Sequence, residues 1–89
     1  MFRMWCKIWK DARLVKHMTV SDSSELNRTK KIFEAIDRLC VEWDLARPIW
    51  LDANVREFKK HSKTRFGQDC FAETIDFDYL EIQVIEEDY

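Results

Sequence analysis

Alternation of apolar and polar residues near the N-terminus predicts a β-hairpin. In residues 2–9 (FRMWCKIW), Phe, Met, Cys and Ile alternate with Arg, Trp, Lys and Trp, which is the period of a β-strand. A second run, residues 13–20, can return antiparallel after a short turn at residues 10–12. No Asn-Gly or Asp-Gly pair marks this turn, so the hairpin is inferred from the alternation alone.

A helical period replaces the alternation after residue 25. From Leu26 onward, apolar residues recur at intervals of three and four, as they do in a helix that buries one stripe. Asp22 and Glu25 match a capping box, and Pro48 cannot continue a helix. We therefore predict a helix over about residues 24–44. The residues that it should bury against a sheet are Phe33, Ile36, Leu39, Cys40 and Trp43.

The segment after this helix predicts less regular structure. Residues 48–51 (PIWL) fit either a short strand or an extended connection, and Asn54 with Glu57 can open a brief second helix through residue 61. Residues 59–70 (KKHSKTRFGQDC) contain the only glycine of the chain. We interpret them as a mobile, solvent-facing connection in which Gly67 turns through a positive φ angle.

The C-terminal segment alternates twice with a change of phase. Its apolar residues occupy odd positions up to Tyr79 and even positions from Leu80. A β-bulge within residues 78–80, or a central strand buried on both faces, would account for this change. The fold class predicted is α+β: a small antiparallel or mixed sheet of the hairpin and the C-terminal strand, with one long and one short helix on one face. The 89 residues leave room for a single domain, residues 1–89.

Charge is segregated along the chain, although the net charge is only −2. Residues 1–20 carry five basic side chains and one acid, residues 56–67 carry five basic side chains and one acid, and residues 68–89 carry eight acids and no base. Opposite charges on adjacent strands attract. We therefore expect the acidic C-terminal strand to lie beside the basic N-terminal strands.

Composition favours a soluble cytoplasmic protein. No apolar run approaches the roughly 18 residues that span a bilayer, and Arg3, Lys7 and Lys10 interrupt the apolar residues at the N-terminus. Three scattered cysteines without a C-x-x-C pair indicate reduced thiols. We expect no membrane partner, no cofactor and no bound metal.

The sequence contains few groups of residues that could form a catalytic site. Cys70 and His61 are the only candidate thiol and base pair, and their separation of nine residues fixes no geometry. Asp76, Asp78 and Glu81 could act as acid and base or hold Mg²⁺, but a solvated strand face shows the same alternation. A phosphate-binding loop needs several glycines. We predict no catalytic residue and rank enzyme activity, metal-dependent or thiol-based, third.

The remaining classes are binding functions. We expect first a non-enzymatic protein-interaction or regulatory module, which forms a homo-oligomer or binds another protein through the face that carries Trp5 and Trp9. Nucleic-acid binding is the alternative, because the hairpin interleaves cations with aromatic rings and residues 56–66 form a basic loop. The candidate interaction surface comprises Arg3, Trp5, Lys7, Trp9, Lys59, Lys60, Lys63, Arg65 and Phe66.

Overall fold

The computed structural model describes residues 1–87 and confirms the predicted α+β class. The strands are β1 (Phe2–Lys10), β2 (Arg13–Asp22), β3 (Lys63–Phe66) and β4 (Tyr79–Glu86), and the helices are α1 (Arg28–Trp43) and α2 (Asp52–His61). All neighbouring strands are antiparallel, in the order β2-β1-β4-β3. The two helices connect β2 to β3 and pack on one face of the sheet, where the buried side chains of β1 (Phe2, Met4, Cys6 and Ile8) meet those of α1.

The predicted hairpin forms with a two-residue turn that contains no glycine. Asp11 and Ala12 both adopt left-handed φ angles, 52° and 62°, as the central residues of a type I′ turn do. The backbone N–H of Asp11 donates to the Asp78 carboxylate at 2.8 Å. The turn is thus supported by the chain segment that leads into β4.

The start of α1 differs from the prediction. Asp22 does not cap a helix: it ends β2, opposite Phe2, and its carboxylate accepts the N–H of Ser24 at 2.8 Å. The N-cap is Asn27, whose side chain accepts the N–H of Lys30 at 3.0 Å. The helix begins later than expected because pairing with β1 keeps residues 21–22 extended.

The end and the buried stripe of α1 also differ from the prediction. Asp44 ends the helix in a left-handed conformation, before Pro48 can act. Ile36, Leu39 and Cys40 are buried as predicted, but Phe33 is 49% exposed and Trp43 is only half-buried. Phe33 lies one position after the buried Ile32, about 100° further around the helix. Its ring therefore faces Trp50, at 6.1 Å between centroids, rather than the sheet.

Residues 59–70 are an ordered part of the fold and not a mobile connection. They contain the end of α2, all of β3, and a single 3₁₀ turn at Gln68–Cys70. Gly67 has a φ of −86°, so the predicted positive angle is wrong; Ser62, at φ 54°, makes the left-handed turn that ends α2. β3 has only one apolar residue, Phe66, so its sequence shows no alternation of apolar and polar positions.

The change of phase in the C-terminal segment has a simpler cause than a bulge at residues 78–80. Ile75 and Phe77 precede β4 and pack on the core from the connecting segment. The irregular register lies instead between Arg3 and Met4 of β1, opposite the end of β4. Residues 48–51 are an extended connection, and Ile49 donates its N–H to the carbonyl of Cys70 at 2.6 Å.

Candidate interaction surfaces

The first candidate surface is the side of the sheet opposite the helices. Since Met4, Cys6 and Ile8 point into the core, the alternate residues of β1 point away from it. Pairing of β1 with β4, and of β4 with β3, places residues from all three strands beside one another. We call this surface the open sheet face; its central residues are Arg3, Trp5, Lys7, Trp9, Lys63, Arg65, Tyr79, Glu81 and Gln83.

Strand register arranges these side chains in rows across the sheet. Trp9 lies opposite Tyr79 in one row, and Lys7 lies opposite Glu81, which in turn pairs with Arg65, in the next. The third row joins Trp5, Gln83 and Lys63. Rings and charges thus alternate along the strands, and the two basic blocks of the sequence meet on one face.

Glu81 is the centre of the open sheet face. Its carboxylate accepts hydrogen bonds from Lys7 Nζ at 2.9 Å, Arg65 Nε at 3.1 Å and Trp9 Nε1 at 3.1 Å. The side chains of Glu81 and Lys7 are only 3% and 8% exposed, whereas that of Arg65 is 55% exposed. Because two cations and an indole N–H surround the carboxylate, a charge is buried here without a missing partner.

These contacts set the ionisation of Glu81. Burial, the largest single influence, raises the pKa of Glu81, but the hydrogen bonds from Lys7 and Arg65, with the charge of Lys7 and the bond from Trp9, together hold it below the usual value. Glu81 is therefore a carboxylate at neutral pH. For Arg65, the hydrogen bond to Glu81 is the main cause of a raised pKa.

Aromatic rings border this charged centre. Lys7 Nζ lies 4.0 Å from the centroid of the Trp5 ring, and the Arg65 guanidinium lies 4.6 Å from that of Tyr79. Trp5 also donates its indole N–H to His17 Nδ1 at 3.3 Å. The cation–π contacts and the hydrogen bonds hold these half-buried rings in fixed orientations.

The acidic strand does lie beside the basic ones, as the charge pattern predicted. β4 contributes Glu81 and Glu86, and Glu86 pairs with Arg3 at 3.6 Å. Four cations, Arg3, Lys7, Lys63 and Arg65, thus share the face with two carboxylates. The open sheet face keeps a positive balance although the chain is acidic overall.

Three of the sequence-derived surface residues lie elsewhere. Phe66 is 0% exposed and packs in the core against Trp50, at 5.1 Å between ring centroids. Lys59 and Lys60 are exposed near the end of α2, on the helical layer. The predicted basic loop is therefore split between the two sides of the sheet.

The second candidate surface is a groove between the helices that the sequence analysis did not identify. It has a volume of about 270 Å³. We call it the helix groove; its lining residues are Arg28, Thr29, Ile32, Phe33, Trp50, Val55, Phe58 and Lys59. An exposed Phe33 beside the apolar stripe of α1 would have been the only sign of this groove in the sequence. The helical period instead predicted that the Phe33 ring is buried in the core.

The side chains proposed for catalysis are dispersed. Cys70 is buried and donates its thiol to Asn54 Oδ1 at 3.4 Å, while His61 is exposed at the end of α2. Asp76 and Asp78 lie before β4 rather than on a strand face, and Glu81 is bonded as described above. Within residues 1–87, no group of three His, Cys, Asp or Glu side chains is arranged to hold a metal ion.

No helix of the described residues is long and apolar enough to cross a membrane. No family model, curated protein or solved structure matches the chain.

Proposed function

We propose that this protein is a protein-interaction module that receives apolar side chains of a partner in the helix groove. The exposed ring of Phe33 at the mouth of this groove carries the proposal. At 49% exposure, the ring remains in water although the fold has an adjacent aromatic neighbour in Trp50. Covering it would remove apolar surface from water without any change in the fold.

The size and lining of the groove favour side chains over a separate small molecule. Its volume of about 270 Å³ is below the roughly 300–1,000 Å³ of sites that enclose drug-sized ligands. Trp50 packs edge-on against two buried rings, with its centroid 5.4 Å from that of Phe58 and 5.1 Å from that of Phe66. Fixed aromatic anchors of this kind are typical of the centre of protein interfaces.

Charge at one end of the groove specifies the partner further. Arg28 lies over the Phe58 ring at 5.2 Å and is paired with Glu87, while Lys59 is exposed on the rim. An amphipathic segment with apolar anchors and a neighbouring Asp or Glu would complement this arrangement. Free thiols at Cys6, Cys40 and Cys70 support a reducing, cytoplasmic location for such a module.

Selection from a phage-displayed library of random linear peptides on the full chain tests the proposal. We expect enrichment of peptides that combine apolar anchors with acidic residues. Labelled synthetic copies should bind with an affinity that falls at least tenfold in Phe33→Glu, because a charge would occupy the mouth of the groove.

Val41→Glu is the matched control, since Val41 is 84% exposed on the same helix and does not line the groove. Its affinity for the peptides should equal that of the wild type. If no peptide is enriched, or if Phe33→Glu and Val41→Glu bind equally, the proposal is wrong.

A further inference from the structure

We propose that the open sheet face binds single-stranded nucleic acid, independently of the helix groove. The inference rests on the register that brings aromatic rings of β1 and β4 and cations of β1 and β3 onto one surface. None of the three strands forms this surface alone. It assembles only because β4 lies between the two basic strands.

The rings provide positions for stacking of bases. Trp5 and Trp9 are half-buried on β1, and four residues of a strand separate them by about 13 Å. Tyr79 lies beside Trp9, with their ring centroids 6.3 Å apart. Aromatic side chains on the exposed face of an antiparallel sheet are a common platform for unpaired bases.

The cations at the edges of this platform suit a phosphate backbone. Arg65 remains 55% exposed although it is bonded to Glu81, and Arg3 is 44% exposed. Lys63 lies two residues before Arg65, on the same side of the edge strand β3. A strand of nucleic acid whose bases stack on the rings could therefore place phosphates near Arg3 at the start of β1 and near Lys63 and Arg65 along the β3 edge of the sheet.

Charge complementarity selects this occupant over a second copy of the chain. The ion pairs place three cations and two carboxylates on this face, and strand pairing adds Lys63. Two such faces would therefore repel each other, whereas a polyanion is attracted. An acidic protein would satisfy the charges but offers no planar bases for the rings. A duplex keeps its bases stacked on each other and would use the cations alone.

Fluorescence anisotropy at low and moderate salt, with four labelled probes, tests this inference. The probes are oligothymidylate, an abasic strand of the same length, a duplex of the same length and polyglutamate. We expect oligothymidylate to bind most tightly. Trp5→Leu should weaken its binding by about tenfold or more while leaving that of the abasic strand unchanged.

Two charge-reversed variants with the same net charge locate the site. Arg3→Glu combined with Lys63→Glu changes the open sheet face, and Lys30→Glu combined with Arg56→Glu changes exposed positions on the helices. Only the first should reduce affinity, and it should flatten the slope of log affinity against log salt by about 0.7 for each phosphate that the protein no longer neutralises. Circular dichroism confirms that both variants are folded.

Several results would overturn the inference: no binding of oligothymidylate at low salt, equal binding of oligothymidylate and the abasic strand, or equal loss of affinity in the two charge-reversed variants. Preference for polyglutamate would assign the face to an acidic protein instead. Dimerisation through this face would assign it to a second copy of the chain instead. Sedimentation would then show a dimer mass for the wild type and a lower mass for Trp5→Leu.

Discussion

At the scale of single residues, Glu81 and Lys7 form a buried ion pair on a sheet face whose outer cations are exposed to solvent. The carboxylate is 3% exposed because Lys7, Arg65 and Trp9 enclose it. Burial of a charge is costly, and it is offset here only while all three donors are present. Loss of the carboxylate would leave the Lys7 ammonium buried without its counter-ion.

We therefore predict that Glu81→Gln lowers the free energy of unfolding by about 3 kcal/mol at pH 7. Urea denaturation followed by circular dichroism measures the change. Glu86→Gln is the control, because Glu86 is 48% exposed in its pair with Arg3 and an exposed pair contributes about 1 kcal/mol or less. Equal losses of stability in the two variants would contradict the buried-network interpretation.

The same residue predicts a pH dependence. Because the pKa of Glu81 is lower in the folded state than the usual value, its charge stabilises the fold above about pH 4.3, the ordinary pKa of glutamate. This contribution is lost as the pH falls through the lowered pKa of the folded state. The difference in unfolding free energy between wild type and Glu81→Gln should therefore shrink in acid. A difference that stays constant down to about pH 2, well below the ordinary pKa, would show that ionisation of Glu81 does not stabilise the fold.

Two phenylalanines that line the helix groove differ in how far they extend into the core. Phe58 is 5% exposed and Phe33 is 49% exposed, although both line the groove. Phe58→Ala should cost about 3–5 kcal/mol in unfolding free energy, because it leaves a cavity. Phe33→Ala should cost less than about 1.5 kcal/mol, because half of its ring is already in water. Thermal or urea denaturation measures both, and a similar cost for the two would place Phe33 in the core, as the periodicity alone suggested.

At the scale of elements, Asn54 joins three parts of the chain. Its side-chain oxygen accepts the N–H of Leu51 at 3.0 Å and so caps α2. Its NH₂ group donates to Thr64 Oγ1 and to the Arg65 carbonyl of β3, both at 2.9 Å. This buried amide therefore positions the short strand β3, and with it the cations of the open sheet face, against α2.

The β1–β2 turn places an alanine in a backbone conformation that favours glycine. Ala12 adopts a left-handed φ of 62°, which costs a residue with a Cβ roughly 1 kcal/mol relative to glycine. Ala12→Gly should raise the unfolding free energy by about 0.5 kcal/mol, since the greater freedom of glycine in the unfolded chain offsets part of the gain. Ala72→Gly is the control: Ala72 is exposed and has no positive φ, so its replacement should not stabilise. A loss of stability in Ala12→Gly would contradict the expected relief of strain.

Long periodic elements could be predicted from the sequence, and contacts between distant elements could not. The alternation of β1 and the stripe of Ile36, Leu39 and Cys40 are local patterns, and both predictions were correct. β3 spans only four residues and owes its conformation to pairing with β4. The four residues that β1 contributes to the open sheet face were predicted from the same alternation of that strand. Their union with Lys63 and Arg65 depends on strand order, and the helix groove depends on packing of α1 against the segment of Trp50.

At the scale of the whole molecule, the two candidate surfaces lie on opposite sides of one sheet. The helix groove is formed by α1, α2 and the segment that carries Trp50, and the open sheet face is formed by strands alone. Core residues such as Leu80 and Ile82 lie between them. Variants on one side should therefore leave binding on the other side unchanged, which allows the two proposals to fail separately.

The three cysteines report whether this core unfolds as one unit. Cys6, Cys40 and Cys70 are free thiols buried in the core cluster. Burial, with a smaller effect of Cys40, raises the pKa of Cys6 to about 12, and burial is also the main cause of raised pKa values for Cys40 and Cys70. Since the thiolate is the reactive form, all three should resist a chromogenic disulfide reagent at about pH 8, near the ordinary pKa of a thiol, in the native protein.

We predict that the three thiols become reactive together, at the urea concentration where the circular dichroism of the helices is lost. A small single domain unfolds without populated intermediates, so no thiol should be released early. Val41→Cys gives the matched control, because position 41 is 84% exposed beside Cys40 on α1 and should react at once in the native state. Labelling of Cys40 in native protein, identified by mass spectrometry, would show that the end of α1 opens independently of the sheet and would contradict cooperative unfolding.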